Sequence, residues 1–401
     1  MKQRLMVLGA SITNRYSLLE IAKLSDVELI VLDGNINSIG KEITPFFECV
    51  DITNSQAVLA AAKKLKIDGI FSINDHGMRA AVYVADNLNL KGMSMATANA
   101  VLDKGTMREV WKVAGIEQPA FQIILKEDEI EDFGRSIGYP LVIKPVDCGG
   151  GGRGVMVINS SADIPQAYSF ASRFLHRNPR LIIEEFIDGI ESSVEVIRFG
   201  GVTHIVAFSD KVKAPYSSRV ATEISYPGFF SKTVVEKIRC NADRIMRSLG
   251  LHEGVGHIEF IVTKDEQVFV LEIGARAGGG HTFHPIASYV SGLNYPQWLS
   301  KFYLGAAEPP KIKTYKGACY AFYHADASGT LRDIAGLDKA REIPNIHCVE
   351  VWKQPGSHVS ILENSMERLG CIVALAETRD DANRAALQAR QQIELHITPD
   401  A

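Results

Sequence analysis

The chain has no C-x-x-C pair, no apolar run of membrane-spanning length, no block of like charge, no low-complexity tract and no internal repeat. Each absence narrows the field. Its cysteines, Cys49, Cys148, Cys240, Cys319, Cys348 and Cys371, lack the spacing with one another or with histidine that holds zinc. They read as free thiols in a reducing compartment. With 43 basic and 47 acidic side chains the net charge is −4, which gives no field for a polyanion, so no nucleic-acid partner is expected. No stretch approaches the roughly 20 apolar residues of a membrane span. The apolar run after Lys2 and Arg4 stops at Gly9, too short for a signal-peptide core. A cytoplasmic protein without a membrane partner is expected. What is present is an ordinary globular composition of 401 residues, 46% hydrophobic and 22% charged, which permits two or three domains and a cleft between them.

At the N-terminal end, short apolar runs (LMVLGA, VELIVLD, DGIFSI) alternate with helical patterns (YSLLEIAKL, AVLAAAKKL, AAVYVADNL). This is the mark of a parallel sheet wrapped by helices. The first strand is followed by Gly9-Ala10-Ser11-Ile12-Thr13-Asn14, not by G-x-G-x-x-G, so a Rossmann-like shape is expected without its dinucleotide site. From residue 104 onward hairpin strands outnumber crossovers. The stretch Gly305 to Gly317, with Pro309, Pro310 and several lysines, reads as a linker. Beyond it, ACYAFYHA, HCVEVW, CIVALAE and DDANRAALQARQQIEL suggest a small α+β domain. The expected architecture is therefore α/β and α+β multidomain, with units at 1–103, 104–308 (divided near 183) and 317–401.

Four segments carry chemistry. Lys144-Pro145 leads into Gly149-Gly150-Gly151-Gly152-Arg153-Gly154, a run stripped of side chains whose amides can wrap phosphate oxygens, although glycine clusters also serve as plain turns. No G-K-[ST] opens a helix here, so this is not a Walker loop. Lys104, after Asp103, is by itself an ordinary surface lysine. Glu184-Glu185-Phe186-Ile187 ends a strand whose free backbone could serve a purine, and Glu191 could accept ribose hydroxyls; a plain acidic strand end is the alternative. Finally, His257-Ile258-Glu259 and Leu271-Glu272-Ile273 flank the polar turn Lys264-Asp265-Glu266-Gln267. A four-residue turn would set Thr263 across from Val268 and Glu259 across from Glu272 on one face. Opposed like charges destabilise a sheet, and a divalent cation turns that penalty into a binding site. Arg276 follows, able to grip a phosphoryl or carboxylate oxygen; a salt bridge on a wet sheet face is the alternative. His281 and His284 could line an acceptor pocket or act as a base, and Arg219 could meet a substrate carboxylate.

Taken in order, these residues resemble the ATP-grasp superfamily over essentially the whole chain. The resemblance implies the ATP-grasp fold, ATP as cofactor with magnesium or manganese, and phosphate contacts from Lys104, Lys144 and the loop glycines Gly149, Gly150, Gly151, Gly152 and Gly154. It assigns an adenine clamp to Glu184, Glu185 and Ile187, the ribose to Glu191, the metal to Glu259 and Glu272, and catalysis to Arg276 and Lys211. Glu223 is similar to a substrate-side glutamate of the carboxylate–amine ligase branch. Gly274 departs from the asparagine that many members carry. The domain order looks most like the L-amino acid ligases, which implies small-molecule carboxylate and amine substrates, an acyl phosphate and a homodimer. Activation of bicarbonate or formate is the alternative within the same architecture, and a non-catalytic ATP-binding module the alternative outside it.

Overall fold

The computed structural model describes residues 2–147, 149, 151–175, 178–214 and 220–400, so Gly150 and Arg219 lie outside the described residues. At the N-terminal end β1 (Gln3–Leu8), β2 (Val27–Asp33), β3 (Phe47–Cys49) and β4 (Gly69–Ser72) form a parallel sheet in the order β3-β2-β1-β4. Met6, Leu8, Ile30 and Leu32 are buried toward one side and Leu5, Val7, Leu29 and Val31 toward the other. Burial on both faces is why these strands are unbroken apolar runs. The loop after β4 carries Asp75 toward the middle of the molecule, where it meets Arg276.

An antiparallel sheet of order β5-β8-β6-β7 follows, built from β5 (Phe121–Ile124), β6 (Leu141–Pro145), β7 (Met156–Ile158) and β8 (Leu181–Glu185). Leu141 and Ile143 pack with Ile130, Phe133, Ile164 and Ala167 of two covering helices. Strand alternation then turns Val142 and Lys144 to the open face.

Next come β9 (Ile190–Phe199), β10 (Val202–Phe208), β11 (Asp210–Lys213), β12 (Ala221–Tyr226), β13 (Gly254–Val262) and β14 (Val268–Gly274). A second antiparallel sheet runs β10-β9-β13-β14. Val194, Val196, Ile258 and Phe260 bury against helix Lys232–Ser248. The alternate residues Glu191, Ser193, His257 and Glu259 therefore line the opposite side.

The C-terminal strands are β15 (Gly317–Tyr323), β16 (Gly329–Ala335), β17 (Ile346–Val351), β18 (His358–Val359), β19 (Gly370–Ala376) and β20 (Glu394–Pro399). One sheet has the order β11-β12-β15-β19-β17, with Glu223 opposite Ala321. The C-terminal segment thus completes a sheet begun inside the preceding unit. The proline-rich stretch before it is irregular but tied down, in contrast to the linker expected from its composition. The Lys313 and Lys316 amides donate to the Ser291 and Val290 carbonyls, the Trp298 indole N–H to the Glu308 carbonyl, and the Tyr315 hydroxyl to Ile205.

Candidate active site

A cleft of about 800 Å³ opens where these sheets meet. It is lined by Val142 and Lys144 from one sheet, Glu191 and Glu259 from the next, Lys211, Ile224, Tyr320 and Phe322 from the third, and Gly149, Gly151 and Gly152 from the glycine loop.

Glu259 and Glu272 face each other, as their spacing suggested, but by a different route. The turn is a three-residue loop in which Glu266 takes a left-handed φ of 58° and Thr263 pairs with Gln267 through its amide. Val262, not Thr263, stands opposite Val268. That register would place Glu259 opposite Leu271 and send Glu272 to the helix-packed face. A bulge between the Phe260–Val270 and Glu259–Glu272 pairs absorbs Leu271 and brings Glu272 back to the cleft.

Each carboxylate has a cation beside it. Glu259 lies 2.6 Å from the Lys211 ammonium and Glu272 3.3 Å from Lys104. Lys211 also reaches Glu191 at 2.5 Å, and Lys213 approaches the same carboxylate at 3.0 Å. Burial opposes the charge on Glu259, yet Lys211 and His257 outweigh it and hold the carboxyl well below its usual range.

Lys104 opens helix Lys104–Val113, whose N-cap Asp103 accepts from the Thr106 amide. Glu184 is buried and ion-paired with both Arg108 and Lys144 at 2.7 Å. Its side chain is therefore a bracket for Lys144 rather than part of an exposed strand end, because leaving either cation unpaired in the interior would be costly. Those two cations hold Glu184 at about 2 even though burial pushes it up. Glu185 turns back to the Ala120 amide. Backbone pairing of β8 ends with Phe186 donating to Pro140, and Ile187 then lines the cleft.

The glycine loop reaches across to the C-terminal segment. The Gly151 carbonyl accepts from both the amide and the hydroxyl of Ser365, each at 3.2 Å. Gly151 and Gly152 have φ of 91° and 75°, conformations open to glycine. Gly154 sits away from the cleft at the base of the loop, where a Cβ would fall 2.9 Å from the Pro145 ring.

Arg276 is gripped at two points by Asp75, at 2.8 and 2.9 Å. It lies over Gly274, where a Cβ would stand 3.3 Å from the guanidinium carbon. The glycine thus makes room for the arginine. Glu195, buried in the sheet, binds the His257 ring with one oxygen and the Gly278 amide with the other at 2.9 Å. Burial disfavours a charged imidazole, but Glu195 and then Glu259 outweigh it and lift His257 to about 9. Asp75, Arg108, Glu195 and His257 were not singled out from the sequence. His257 had a readable signal, since it lies two residues before Glu259 on the same strand face; the other three act across long sequence distances.

Three substrate candidates fall elsewhere. Lys211, Ile224 and Tyr320 are in register on the cleft face of their sheet, so Glu223 points to the other face. There it accepts from Ser225, which also contacts Asn383 of the C-terminal helix. His281 is fully buried, 3.1 Å from Glu350 and between the rings of Tyr16 and Tyr320. His284 bonds Ser288 at 2.9 Å and packs near Glu20 of the first α-helix. The loop folds back after Gly280, which removes both histidines from the cleft.

A glycine loop and lysine on one sheet, closing over paired acids on a second, define the ATP-grasp architecture. Residues 109–284 match the ATP-grasp domain, and residues 321–398 match L-amino acid ligase C-terminal domain 2. The chain carries an ATP-grasp domain followed by an L-amino acid ligase C-terminal domain, and its relatives include carboxylate–amine ligases. It is 20% identical to the L-arginine-specific L-amino acid ligase of Bacillus subtilis, over 88% of this chain and 86% of that one. It is 27% identical to the D-alanine–D-alanine ligase of Bordetella avium (strain 197N), over 53% of this chain and 68% of the other. The crystal structure of an L-amino acid ligase from Bacillus licheniformis superposes with a TM-score of 0.84 at 19% identity, covering 99% of both chains. N5-carboxyaminoimidazole ribonucleotide synthetase from Thermotoga maritima shares the fold with a TM-score of 0.76 at 17% identity, covering 99% of this chain and 100% of that one. Among the described residues no helix is long and apolar enough to cross a membrane.

Proposed function

We propose that the protein joins a carboxylic acid, an amino acid in the first instance, to an amine through an acyl phosphate, with conversion of ATP to ADP. The observation that carries this reading is the bulge that turns Glu272 to face Glu259 beside Lys104, Lys211 and Arg276. Opposed carboxylates offer hard oxygen donors suited to magnesium or manganese, and such an ion would neutralise phosphate oxygens. Around it, the chain's own groups divide the work. Lys104 and Lys144 would screen the phosphates from an approaching carboxylate, since two anions otherwise repel. Arg276, oriented by Asp75, would meet the charge that develops on the transferred phosphoryl group. The glycine loop, latched at Ser365, would keep water from the acyl phosphate while the amine attacks its carbonyl carbon and phosphate leaves. Glu191 serves the ribose and Ile187, with the Glu184–Glu185 backbone, the purine.

The match of residues 321–398 to L-amino acid ligase C-terminal domain 2 favours amino acid substrates over bicarbonate or formate. The test is ADP release against paired amino acids, bicarbonate and formate, with mass detection of the product. Glu272→Ala should abolish substrate-dependent ADP formation. Turnover that survives in that variant contradicts the metal assignment, and an amide product with no amino acid pair contradicts the substrate class.

A further inference from the structure

Two cations of the cleft, Arg153 and Arg368, have no carboxylate partner among the described residues, and Arg368 is the one seated on the Phe322 ring. Lys104, Lys144, Lys211, Lys213 and Arg276 each have a carboxylate partner within 3.3 Å. Among the described residues no carboxylate pairs with Arg368, although it lines the same cleft. Its guanidinium carbon lies 3.5 Å from the centroid of the Phe322 ring. One Nη2–H donates to the Ala221 carbonyl at 2.6 Å, and the buried Nε–H has no acceptor among the described residues. Burial outweighs the opposing influence of Tyr320 and Cys371 and pulls its pKa down to about 10. A guanidinium stacked on a ring keeps its N–H edge free for a planar anion. An unpaired cation held in a partly desolvated site is costly unless a ligand supplies the counter-charge.

Its position relates that anion to the reaction. From Phe322 an aromatic row continues to Tyr320, with centroids 4.4 Å apart. A Cβ on Gly280 would fall 2.9 Å from the Tyr320 hydroxyl, and Gly280 is on the loop that follows Arg276. The carboxylate that reacts belongs at Arg276 and the Glu259–Glu272 pair. An anion at the far end of the aromatic row is a second one, carried by the other substrate.

Resting on the ligase reading above, we propose that Arg368, with Phe322 and Tyr320 as an apolar wall, anchors a free carboxylate on the amine-bearing substrate, which makes that substrate an α-amino acid or a close analogue. The guanidinium is a specificity-determining group and takes no part in phosphoryl transfer.

The experiment uses the full chain loaded with magnesium and a non-hydrolysable ATP analogue. Calorimetry compares binding of each standard amino acid with its α-amide, for the wild type, Arg368→Gln and Arg368→Lys. At least one amino acid should bind about tenfold or more tightly than its amide, as a charge-assisted pair requires. Arg368→Gln should reduce that affinity to the level of the amide, and Arg368→Lys should restore part of it. Equal binding of acid and amide to the wild type, or no binding of any amino acid, overturns the proposal. So does an Arg368→Gln variant that binds the nucleotide analogue and still discriminates. If Arg368→Gln fails to bind the analogue, the wild-type comparison and Arg368→Lys decide. Product analysis completes the assignment, because consumption of the discriminated amino acid as the acyl donor also overturns it. The ligase reading fails separately, if no substrate pair releases ADP.

Discussion

Asp75 and Arg276, two hundred and one residues apart in sequence, form a two-point ion pair of 2.8 and 2.9 Å that joins the N-terminal sheet to the segment just past β14, the strand that carries Glu272. Asp75 opposes the loss of Arg276 to solvent and fixes the direction of its fork. Burial pushes the Asp75 carboxyl up, but Arg276 outweighs it and holds it below the usual value.

Asp75→Asn keeps the shape and removes the charge. Misplacement of a charge-stabilising group by about 1 Å costs on the order of 100-fold in rate, so kcat for ADP release should drop roughly 10- to 100-fold, with KM for ATP changed by no more than a few fold. Asp75→Glu should recover part of kcat. An Asp75→Asn enzyme with wild-type kcat would remove the positioning role.

Ser365 holds the glycine loop against the C-terminal segment through its hydroxyl and amide. Ser365→Ala deletes one of the two bonds and about 1 kcal/mol of closure. The expected result is a several-fold rise in ADP released per amide formed, because water reaches the acyl phosphate during longer openings. The measurement is the ratio of ADP to product by mass detection; an unchanged ratio shows that the latch does not govern water exclusion.

Arg108 is 1% exposed and bonds both Glu184 and the Val270 carbonyl. Removing Arg108 leaves Glu184 paired with Lys144 alone and deletes a buried charge-assisted hydrogen bond, at a cost of about 2 kcal/mol. Arg108→Met should lower the denaturant midpoint accordingly and weaken nucleotide binding, since Lys144 shares Glu184. A midpoint equal to that of the wild type would show the bracket to be dispensable.

His284 is held at about 4 by burial, below its ordinary value of 6.5. The folded chain therefore binds this proton later than the unfolded chain as pH falls. Stability is unaffected above about 6.5 and is lost progressively between 6.5 and 4, by on the order of 2 kcal/mol at the acid end of that window. His284→Asn should flatten this part of a stability–pH curve recorded by chemical denaturation. A variant curve parallel to the wild type across that window would locate the acid sensitivity elsewhere.

By itself the sequence determined the alternation of elements that builds the parallel N-terminal sheet, the lysine before the glycine loop and the two acids of one hairpin. These are local: periodicity, composition and short spacing carry them. Even so, the hairpin was read in the wrong register near its turn. A left-handed Glu266 and a bulge at Leu271 are backbone choices with weak side-chain signatures, and the two departures offset each other.

Tertiary structure alone decided the rest. Strand parity, set by which face of the shared sheet packs on the C-terminal helix, sent Glu223 away from the cleft and Lys211 into it. Burial took His281 and His284 out of reach. The partners that orient the chemistry, Asp75 for Arg276, Arg108 and Glu184 for Lys144, and Glu195 for His257, are separated in sequence and meet only when distinct elements pack. A lone acid or base in a sequence is indistinguishable from a solvated one. Its role is fixed by the burial and the opposite charge that the fold places beside it.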